Sequence, residues 1–449
     1  MKKTRILTIL LLIALLLTHV SALQAPTPNA AAALLIERNT GETLMEYNAD
    51  EKIYPASMTK IMTCMLTLEN LHLSDVVTVS ESALEGLDES GSSAELQPGE
   101  QLTVEQLLYC MMLSSANEAC NVAAEAVSGD IASFIGAMNR RAEELGCEKT
   151  HFANTHGLHD EAHFSTARDL SRITLEALKN REFRKIVGTS HYTVPATNLT
   201  AERHLTTTNR LIIKADNNIY YDKRVTGVKT GYTSPAGRCL IATAEDGPLS
   251  LLSIVCGCDT TILPSGDLQF ESFPETEKLL DWGFSSYTYA TVLTSLYPVA
   301  EIPVSRSAGS NFVSLAPKNE ITSLLPIDYD EEKIELKTEL ISETGVSAPV
   351  NAGDELGTVT VFYRGKELGS APLVAIAGVE RATLITYLSP SRSGAQGWFR
   401  TVMLILVLAA MVVIVVLLIV RSKKRRDKKK TARQAPEKKE DAPDWFRKE

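Results

Sequence analysis

The sequence lacks the cysteine patterns that hold zinc or form a dense disulfide framework. Its 449 residues contain seven cysteines, an odd number, and none of them has the Cys-x-x-Cys spacing of common metal and redox sites. Several stand in apolar runs, so the pattern predicts buried thiols. The seven cysteines are Cys64, Cys110, Cys120, Cys147, Cys239, Cys256 and Cys258.

A metalloprotease motif is missing as well. Four of the eight histidines cluster within thirteen residues, but without the His-Glu-x-x-His spacing that holds zinc on a helix. Asn154, Gly157 and Asp160 in the same stretch are typical of a loop, so we expect a surface loop without a metal. The alternative, a zinc peptidase, predicts inhibition by chelators. The clustered histidines are His151, His156, His159 and His163.

Positive charge is scarce between the two ends of the chain. The formal net charge is −10 overall; residues 1–22 contribute three positive charges, and residues 421–449 hold 13 Lys and Arg against six Asp and Glu. Residues 23–420 therefore carry a net charge of −20. Such an acidic region repels polyanions, which argues against a nucleic acid partner.

Long apolar runs are confined to the two ends. Residues 1–22 combine a basic start, an apolar run and small residues before position 23, which predicts a secretory signal peptide. Val402–Val420 is apolar throughout, so we predict a transmembrane helix at 401–420. The basic tail at 421–449 should be cytoplasmic, because positive residues flank the cytoplasmic side. The chain is thus expected in the cell membrane as a single-pass protein with its bulk extracytoplasmic.

Strand and turn patterns divide the region between the signal and the span. Residues 23–284 alternate helical and strand patterns and close with a helix at Glu277–Gly283. Residues 285–388 contain short alternating strands, which predicts an all-β domain. Residues 389–400, rich in Ser and Gly, predict a flexible linker to the membrane.

A serine and a lysine stand three residues apart near the N-terminus, at Ser57 and Lys60. On a helix that spacing places both side chains on one face, where an amine can accept the hydroxyl proton. Pro55 suits a helix start, and a serine in the first turn lies near free N–H groups that can stabilise an oxyanion. Ser57 is therefore a candidate nucleophile, although Ser-x-x-Lys alone is a weak motif.

Two further weak motifs follow in the same chain. Ser115 and Asn117 interrupt a pair of apolar helical patterns, after a helix start with a capping box at Thr103 and Gln106. Lys229-Thr230-Gly231 lies on a predicted strand, where glycine permits close approach of a ligand. A helix-joining turn and a plain sheet edge would explain each motif taken alone.

The three motifs in this order resemble the motif set of penicillin-binding proteins and serine β-lactamases. The surrounding sequence is similar to the low-molecular-mass D-alanyl-D-alanine carboxypeptidases over about residues 30 to 285. The resemblance implies an α/β fold: a β-lactamase-like serine peptidase domain with an antiparallel sheet flanked by helices, then a small all-β domain and one C-terminal transmembrane helix. The stretches that carry it are Pro55–Lys60, Ser165–Asp169, Gly227–Thr233 and Leu279–Phe284.

The resemblance also implies roles for individual residues. Ser57 would attack the carbonyl between two terminal D-alanines, with neutral Lys60 as the base. Burial and the charge of a second lysine would lower the pKa of Lys60. Ser115 would pass a proton to the leaving amine, and Asn117 would orient Lys60 and the substrate. The remaining implied site residues are Lys229 and Thr230 for the substrate carboxylate, Tyr232 with Ser57 for the oxyanion hole, and Gly231 and Thr233 along the same strand.

No metal or cofactor is implied. The expected partners are peptidoglycan stem peptides and, as covalent inhibitors, β-lactam antibiotics; the membrane contact is the C-terminal helix, and no nucleic acid is expected. Related enzymes end in an amphipathic helix on the membrane surface, whereas Val402–Val420 should cross it. The resemblance implies an acyl-enzyme reaction that removes one D-alanine from a stem pentapeptide in cell-wall maturation.

The sequence departs from the family at one substrate-binding position. An arginine often precedes the Leu-Leu-x-Trp-Gly-Phe helix, yet no arginine lies between Arg238 and Arg306, and Ser272 stands near the expected place. Two hypotheses remain: Thr230 and Lys229 suffice for the carboxylate, or Arg238 substitutes from the neighbouring strand.

Other activities use the same motifs. A β-lactamase is disfavoured because the Glu-x-x-Leu-Asn motif of class A enzymes is absent after Ser115. A DD-endopeptidase or transpeptidase stays open, since the motifs do not specify the acceptor. A non-catalytic wall-binding homologue predicts decay of at least one motif, and all three are intact.

Overall fold

The computed structural model describes residues 24–87, 91–383 and 395–432. The predicted signal peptide lies outside the described residues, as do residues 384–394 of the region before the membrane span and residues 433–449 of the tail. The chain forms two compact units. The first ends at Ala290 but also takes Thr322–Glu331 from the stretch predicted as all-β, and the second holds the rest.

The first unit is built on an antiparallel sheet of five strands in the order β2-β1-β9-β8-β7. Strand β7, which carries the Lys-Thr-Gly motif, is at one edge of this sheet. The strands are β1 (Ala32–Glu37), β2 (Glu42–Tyr47), β7 (Val225–Thr233), β8 (Gly237–Asp246) and β9 (Leu249–Cys258).

Both faces of the sheet are covered. Successive strand residues point to opposite faces, and β1 shows the result: Ala32, Leu34 and Ile36 join one apolar cluster, while Ala33 and Leu35 join another. The first cluster contains residues of the helices beside the cleft described below, and the second contains residues of the C-terminal helix of the unit. A sheet buried on both sides gives the site a rigid support.

One predicted helix start of the first unit can be checked directly. The capping box at Thr103 and Gln106 is confirmed by both of its hydrogen bonds, and Gly129 ends the third helix with φ 84°. The helices are α1 (Lys60–Asn70), α2 (Val104–Met112), α3 (Asn117–Ser128), α4 (Ile131–Glu144), α5 (Ala167–Ala177), α6 (Arg181–Val187) and α7 (Ser272–Ser286).

Helix α7 confirms the predicted closing helix and packs directly on the sheet. A Cβ added at Gly283 would stand 2.7 Å from Leu251 and 2.8 Å from Leu35, so glycine allows the helix to approach this closely. Short paired strands border the unit's core. They are β3 (Val76–Thr78) with β4 (Gln101–Thr103), β5 (His191–Val194) with β6 (Arg203–Thr206), and β10 (Thr260–Ile262) with β11 (Leu268–Phe270).

The second unit confirms the predicted small β domain. Its sheet has six strands in the order β16-β18-β19-β14-β13-β17, antiparallel except for the β13–β17 pair. Strands β12 (Tyr287–Leu293) and β15 (Ile321–Pro326) run across the unit boundaries. The sheet strands are β13 (Ala300–Ser305), β14 (Phe312–Pro317), β16 (Ile334–Leu340), β17 (Val346–Ser347), β18 (Glu355–Tyr363) and β19 (Lys366–Ala375).

A long apolar helix, α8 (Ala395–Ala432), follows. It begins inside the stretch predicted as a flexible linker and continues past the predicted end of the span at residue 420. Val402–Arg426 is long enough to cross a membrane and contains an 18-residue window with a mean hydropathy of 3.6, none of which is buried in the described structure. The helix therefore fits a single-pass membrane anchor.

Candidate active site

A cleft of about 1020 Å³ opens on the first unit beside the edge strand β7. It collects predicted site residues that are up to 176 positions apart in the sequence, from Ser57 to Thr233. Seven of the nine predicted residues line it: Ser57, Ser115, Asn117, Thr230, Gly231, Tyr232 and Thr233. The other two, Lys60 and Lys229, are buried at 0% and 1% exposure.

Ser57 lies on a 3₁₀ turn, Ala56–Thr59, that leads into α1 at Lys60. The sequence indicated that Ser57 would lie in the first turn of a helix if the helix starts here; this turn is a 3₁₀ turn, and the α-helix begins at Lys60. Pro55 precedes the turn, as expected at a helix entry, while Ala56 has φ 45°, a left-handed conformation that is costly for a residue with a side chain. The turn leaves Ser57 partly exposed to the cleft while its neighbours on both sides are buried.

The Lys60 ammonium group contacts three oxygen atoms. Its Nζ lies 3.0 Å from Ser57 Oγ, 2.8 Å from Asn117 Oδ1 and 2.7 Å from the carbonyl oxygen of His156. Burial lowers the pKa of Lys60, against smaller opposing effects of Cys120 and Glu118. A neutral Lys60 amine in this position could accept the proton of Ser57 directly.

Ser115 and Asn117 stand where the two apolar helices α2 and α3 meet. Ser115 has φ 60°, and Asn117 is the first residue of α3. The backbone N–H of Asn117 donates to the carbonyl oxygen of Ser92 at 2.9 Å, and the Glu118 carboxylate accepts from the N–H of Ala94 at 2.7 Å. These bonds fix the loop at residues 91–95 over the start of α3, so the predicted helix break is a rigid wall of the cleft.

Strand β7 approaches the Ser57 turn closely at Gly231. A Cβ added there would stand 3.1 Å from the Pro55 carbonyl oxygen and 3.2 Å from the backbone nitrogen of Ser57. The absence of a side chain thus brings the edge of the sheet against the turn, whereas the prediction from sequence concerned the approach of a ligand. On the same strand, the hydroxyl of Thr230 is hydrogen-bonded to that of Thr208.

Lys229 lies under the cleft floor, where its ammonium donates to the carbonyl oxygen of Thr230 at 3.1 Å. Burial, together with the nearby positive charge of Lys60, lowers the pKa of Lys229 to about 7. The direction predicted for Lys60 is therefore found, with burial as its cause. The repulsion between the two lysines acts on Lys229, which is partly neutral near pH 7.

The histidine-rich segment contributes to the site, and the prediction of a surface loop was wrong for two of its histidines. His156 and His163 are buried at 8% and 2% exposure. His163 Nδ1 accepts from the N–H of Ala153 at 3.0 Å, so its Nε2 donates to Thr59 Oγ1 at 2.7 Å. Burial lowers the pKa of His156 to about 3 and that of His163 to about 4, which keeps both rings neutral.

Gly157 explains why this segment can reach Lys60. Its φ is 92°, and a Cβ added there would lie 1.8 Å from the carbonyl oxygen of Ala56. Only a glycine can lie against the Ser57 turn in this way. The sequence showed this residue as one of several turn formers, and nothing in its neighbourhood distinguished it.

Two arginines reach the same cleft from different elements. Arg238, on β8, was one of two sequence hypotheses for carboxylate binding, and Arg210, on a 3₁₀ turn Arg210–Ile212, was missed. Ser272, near the position where the family often has arginine, also lines the cleft, beside Phe270 and Phe273. No local pattern singled out Arg210, because it enters the cleft through the folding of the segment between β6 and β7.

The fold and the motif geometry define a protein of the penicillin-binding type, and comparisons with known proteins agree. The crystal structure of penicillin-binding protein 5 from Haemophilus influenzae superposes with a TM-score of 0.57 at 28% identity, covering 79% of this chain and 99% of that one. The DD-transpeptidase of Streptomyces K15 superposes with a TM-score of 0.52 at 30% identity, covering 58% and 99%.

Sequence comparison is more specific. The D-alanyl-D-alanine carboxypeptidase profile matches residues 19–260, and the profile of the penicillin-binding protein 5 C-terminal domain matches residues 290–381. D-alanyl-D-alanine carboxypeptidase DacF of Bacillus subtilis is 35% identical over 80% of this chain and 88% of its own length. The chain belongs to the D-alanyl-D-alanine carboxypeptidase family.

Proposed function

We propose that this protein is a serine-type D-Ala-D-Ala carboxypeptidase that removes the terminal D-alanine from peptidoglycan stem pentapeptides. The observation that carries the proposal is the 3.0 Å contact between buried Lys60 Nζ and Ser57 Oγ, in a cleft bordered by the Lys-Thr-Gly strand. A lysine with a lowered pKa beside a serine hydroxyl is an activated nucleophile. The family of the chain supplies the substrate class.

In the proposed reaction, neutral Lys60 takes the hydroxyl proton as Ser57 Oγ attacks the carbonyl carbon between the two D-alanines. The N–H groups of Ser57 and Tyr232 stabilise the tetrahedral oxyanion. The C–N bond then breaks, and the Lys60 proton passes through Ser115 to the leaving nitrogen. Free D-alanine departs, and the acyl group remains on Ser57.

Water completes the cycle. Lys60 accepts a proton from the attacking water, the Ser57 ester bond breaks, and the proton returns to Ser57 Oγ. Asn117 holds Lys60 in place at 2.8 Å and orients the substrate amide, while Thr230 and Lys229 hold the terminal carboxylate. The products are one D-alanine and a stem peptide shortened by one residue.

The proposed location follows from the two ends of the chain. The N-terminal segment would direct export, α8 would span the membrane once, and the basic residues after it would stay cytoplasmic. The first unit would then face peptidoglycan outside the cell. β-Lactam antibiotics would acylate Ser57 and block the site.

A transpeptidase or endopeptidase activity is the second candidate. The observation that favours it is the 30% identity to the Streptomyces K15 DD-transpeptidase over the catalytic region. All three activities share the acyl-enzyme and differ in the nucleophile that resolves it or in the bond attacked. Product identification separates them.

The test uses the full-length protein purified in detergent and a stem pentapeptide. We expect free D-alanine and a tetrapeptide, and a loss of at least ~10³-fold in Ser57→Ala, as typical of a removed nucleophile. Labelling by fluorescent penicillin should disappear in the same variant. Release that persists in Ser57→Ala would contradict the proposal, and a cross-linked or cross-bridge-cleaved product would favour the second candidate.

A further inference from the structure

Helix α1, which begins at Lys60, is hydrogen-bonded to the histidine-rich segment, residues 151–165. Lys60 Nζ donates to the carbonyl oxygen of His156 at 2.7 Å, and Thr63 Oγ1 donates to that of Thr155 at 2.5 Å. Every amino acid supplies a backbone carbonyl oxygen, so neither bond depends on which side chains the segment carries. A further contact, between the segment and the turn that precedes α1, does depend on one of them.

This contact joins the imidazole ring of His163 to the side chain of Thr59. His163 Nε2 lies 2.7 Å from Thr59 Oγ1. Thr59 is the last residue of the 3₁₀ turn that carries Ser57. Both side chains are buried, Thr59 at 1% exposure and His163 at 2%. Water does not replace a hydrogen bond at such a place, so removing one partner leaves the other unsatisfied, which is costly.

The segment itself orients the imidazole ring of His163. The backbone N–H groups of Ala153 and Asn154 donate to Nδ1 at 3.0 Å and 3.3 Å. A nitrogen that accepts hydrogen bonds carries no proton, so the proton of the neutral ring is on Nε2 and is donated to Thr59. The ring of Phe152 packs against the same imidazole, with 5.6 Å between the centroids. The direction of the donated hydrogen bond is therefore fixed by the segment.

The hydroxyl group of Thr59 has little room to move. A Cβ added at Gly157 would stand 2.9 Å from Thr59 Oγ1, so the backbone of the segment lies against this hydroxyl from a second direction. The segment thus holds the turn through the side chain of His163 and holds the Lys60 amine through the carbonyl oxygen of His156. One segment sets the positions of both reacting groups relative to each other.

We propose that His163 is a positioning residue for Ser57 and acts through its hydrogen bond to Thr59. This inference rests on the proposed function. The bond keeps Ser57 Oγ at 3.0 Å from Lys60 Nζ, a distance at which the proton can pass directly. His163 is not among the described residues that line the cleft, so it does not act on the substrate itself. A displacement of the turn by about 1 Å would be enough to lower the rate ~10²-fold.

Two substitutions each keep one half of the hydrogen bonds of the imidazole ring. His163→Gln has an amide nitrogen that reaches the place of Nε2 and can donate to Thr59, whereas His163→Asn has an oxygen near the place of Nδ1 and no donor that reaches Thr59. For D-alanine release from a stem pentapeptide, kcat should fall ~10- to 100-fold in His163→Asn and less than about fivefold in His163→Gln. KM should stay within about twofold of the wild type in both variants, because the interaction with the substrate is unchanged.

A double-mutant cycle tests whether His163 acts through Thr59. Thr59→Val removes the acceptor and should lower kcat about as much as His163→Asn, and the combined variant should be no slower than either single variant. Thr59→Ser keeps the hydroxyl and should stay near the wild-type rate. An unchanged kcat in His163→Asn, an equal loss in His163→Gln, or losses that multiply in the combined variant would each overturn the proposal. A loss confined to KM would overturn it as well.

His151→Asn is the matched control, because His151 is an exposed histidine of the same segment whose Nδ1 lies 2.6 Å from the carbonyl oxygen of Ala162. It should leave kcat and KM unchanged. If His163 served stability alone, kcat would follow the thermal unfolding temperature of each variant and not the hydrogen bond that it keeps.

Failure of the proposed function would look different, since the wild-type protein would then release no D-alanine. The rate of labelling by fluorescent penicillin would still report the reactivity of Ser57 and should fall in the same order across the variants. An active wild type whose kcat survives His163→Asn contradicts only the inference.

Discussion

The two units of the chain bury different kinds of side chain. In the described residues, every buried polar or charged side chain belongs to the first unit, from Glu37 to Ser286, and two of them are lysines. The core of the second unit consists of Val, Ile, Leu and Ala. Burying charge costs free energy that burying apolar surface does not. The first unit buries charged groups at the site where the reaction is proposed. The described core of the second unit is apolar, as expected of a domain whose buried residues serve folding alone.

Outside the proposed reactive groups, the largest expected effect on turnover comes from a glycine of the first unit that has a counterpart in the second. Gly157 and Gly353 have φ values of 92° and 91°, but an added Cβ would lie 1.8 Å from Ala56 at the first position and in open space at the second. Gly157→Ala should displace the Ser57 turn and lower D-alanine release by ~10²-fold or more, since small misplacements of reacting groups are costly.

Gly353→Ala measures the backbone strain alone. It should reduce stability by ~1–2 kcal/mol, the penalty of a left-handed alanine, without changing turnover. Rates of D-alanine release and thermal unfolding of both variants provide the comparison. Similar turnover in the two variants would contradict the assignment of Gly157 to the support of Ser57.

A smaller effect on the kinetic constants of D-alanine release, about tenfold, is expected when the pH is varied. Lys60 must be neutral to act as a base, so kcat should rise with pH, with a midpoint below the ordinary lysine pKa of 10.5 because burial lowers the pKa of Lys60. Lys229, with a pKa of about 7, loses its charge as the pH rises through that value. Binding of a carboxylate should therefore weaken, and KM for the peptide with a free C-terminal carboxylate should increase above about pH 7.

A stem pentapeptide whose C-terminal carboxylate is replaced by an amide is the internal control for this pH profile. Its KM should not follow the titration of Lys229, because no carboxylate is bound. The measurement is a set of initial rates for both peptides between pH 5 and about 10. If KM for the peptide with a free C-terminal carboxylate does not depend on pH across this range, Lys229 does not contribute to binding of that carboxylate.

The smallest effect on turnover is expected from the core of the second unit. Leu373 is fully buried among apolar side chains of that unit, and Leu373→Ala should lower its stability by ~2–5 kcal/mol. Hydrogen exchange measured by mass spectrometry should show faster exchange in β18 and β19 with unchanged exchange in β7 to β9. D-alanine release by the purified protein should stay at the wild-type rate, and a loss above about threefold would show that the units are coupled.

Much of the site could be predicted because the motifs are local. Ser57 and Lys60 are three residues apart, and Ser115 and Asn117 occupy one turn, so short-range geometry brings each pair together. The Lys-Thr-Gly motif lies on the predicted strand. The helical spacing did not show that the turn at Ser57 is a 3₁₀ turn with a left-handed Ala56, because that turn packs against Gly231 and Gly157, which are distant in sequence.

The histidine segment shows the opposite case. Its turn-forming residues predicted a surface loop, yet His156 gives Lys60 a carbonyl oxygen at 2.7 Å, and His163 donates to Thr59. The relevant group of His156 is a backbone atom, which has no signal in the side-chain pattern. Arg210 was missed for a related reason, because its position in the cleft depends on the course of a whole segment.

The amino-acid sequence by itself determined the candidate reactive groups: a serine and a lysine at helical spacing, a Lys-Thr-Gly strand proposed to bind a carboxylate, and the ends expected to export and anchor the chain. These follow from local spacing and composition, which act over a few residues. Only the tertiary structure decided the state and surroundings of those groups. It buries Lys60 and Lys229 so that their pKa values fall, and it brings Arg210 and Arg238 to one phenyl ring from two elements. Desolvation and charge proximity depend on contacts between distant segments, and such contacts exist only in the folded chain.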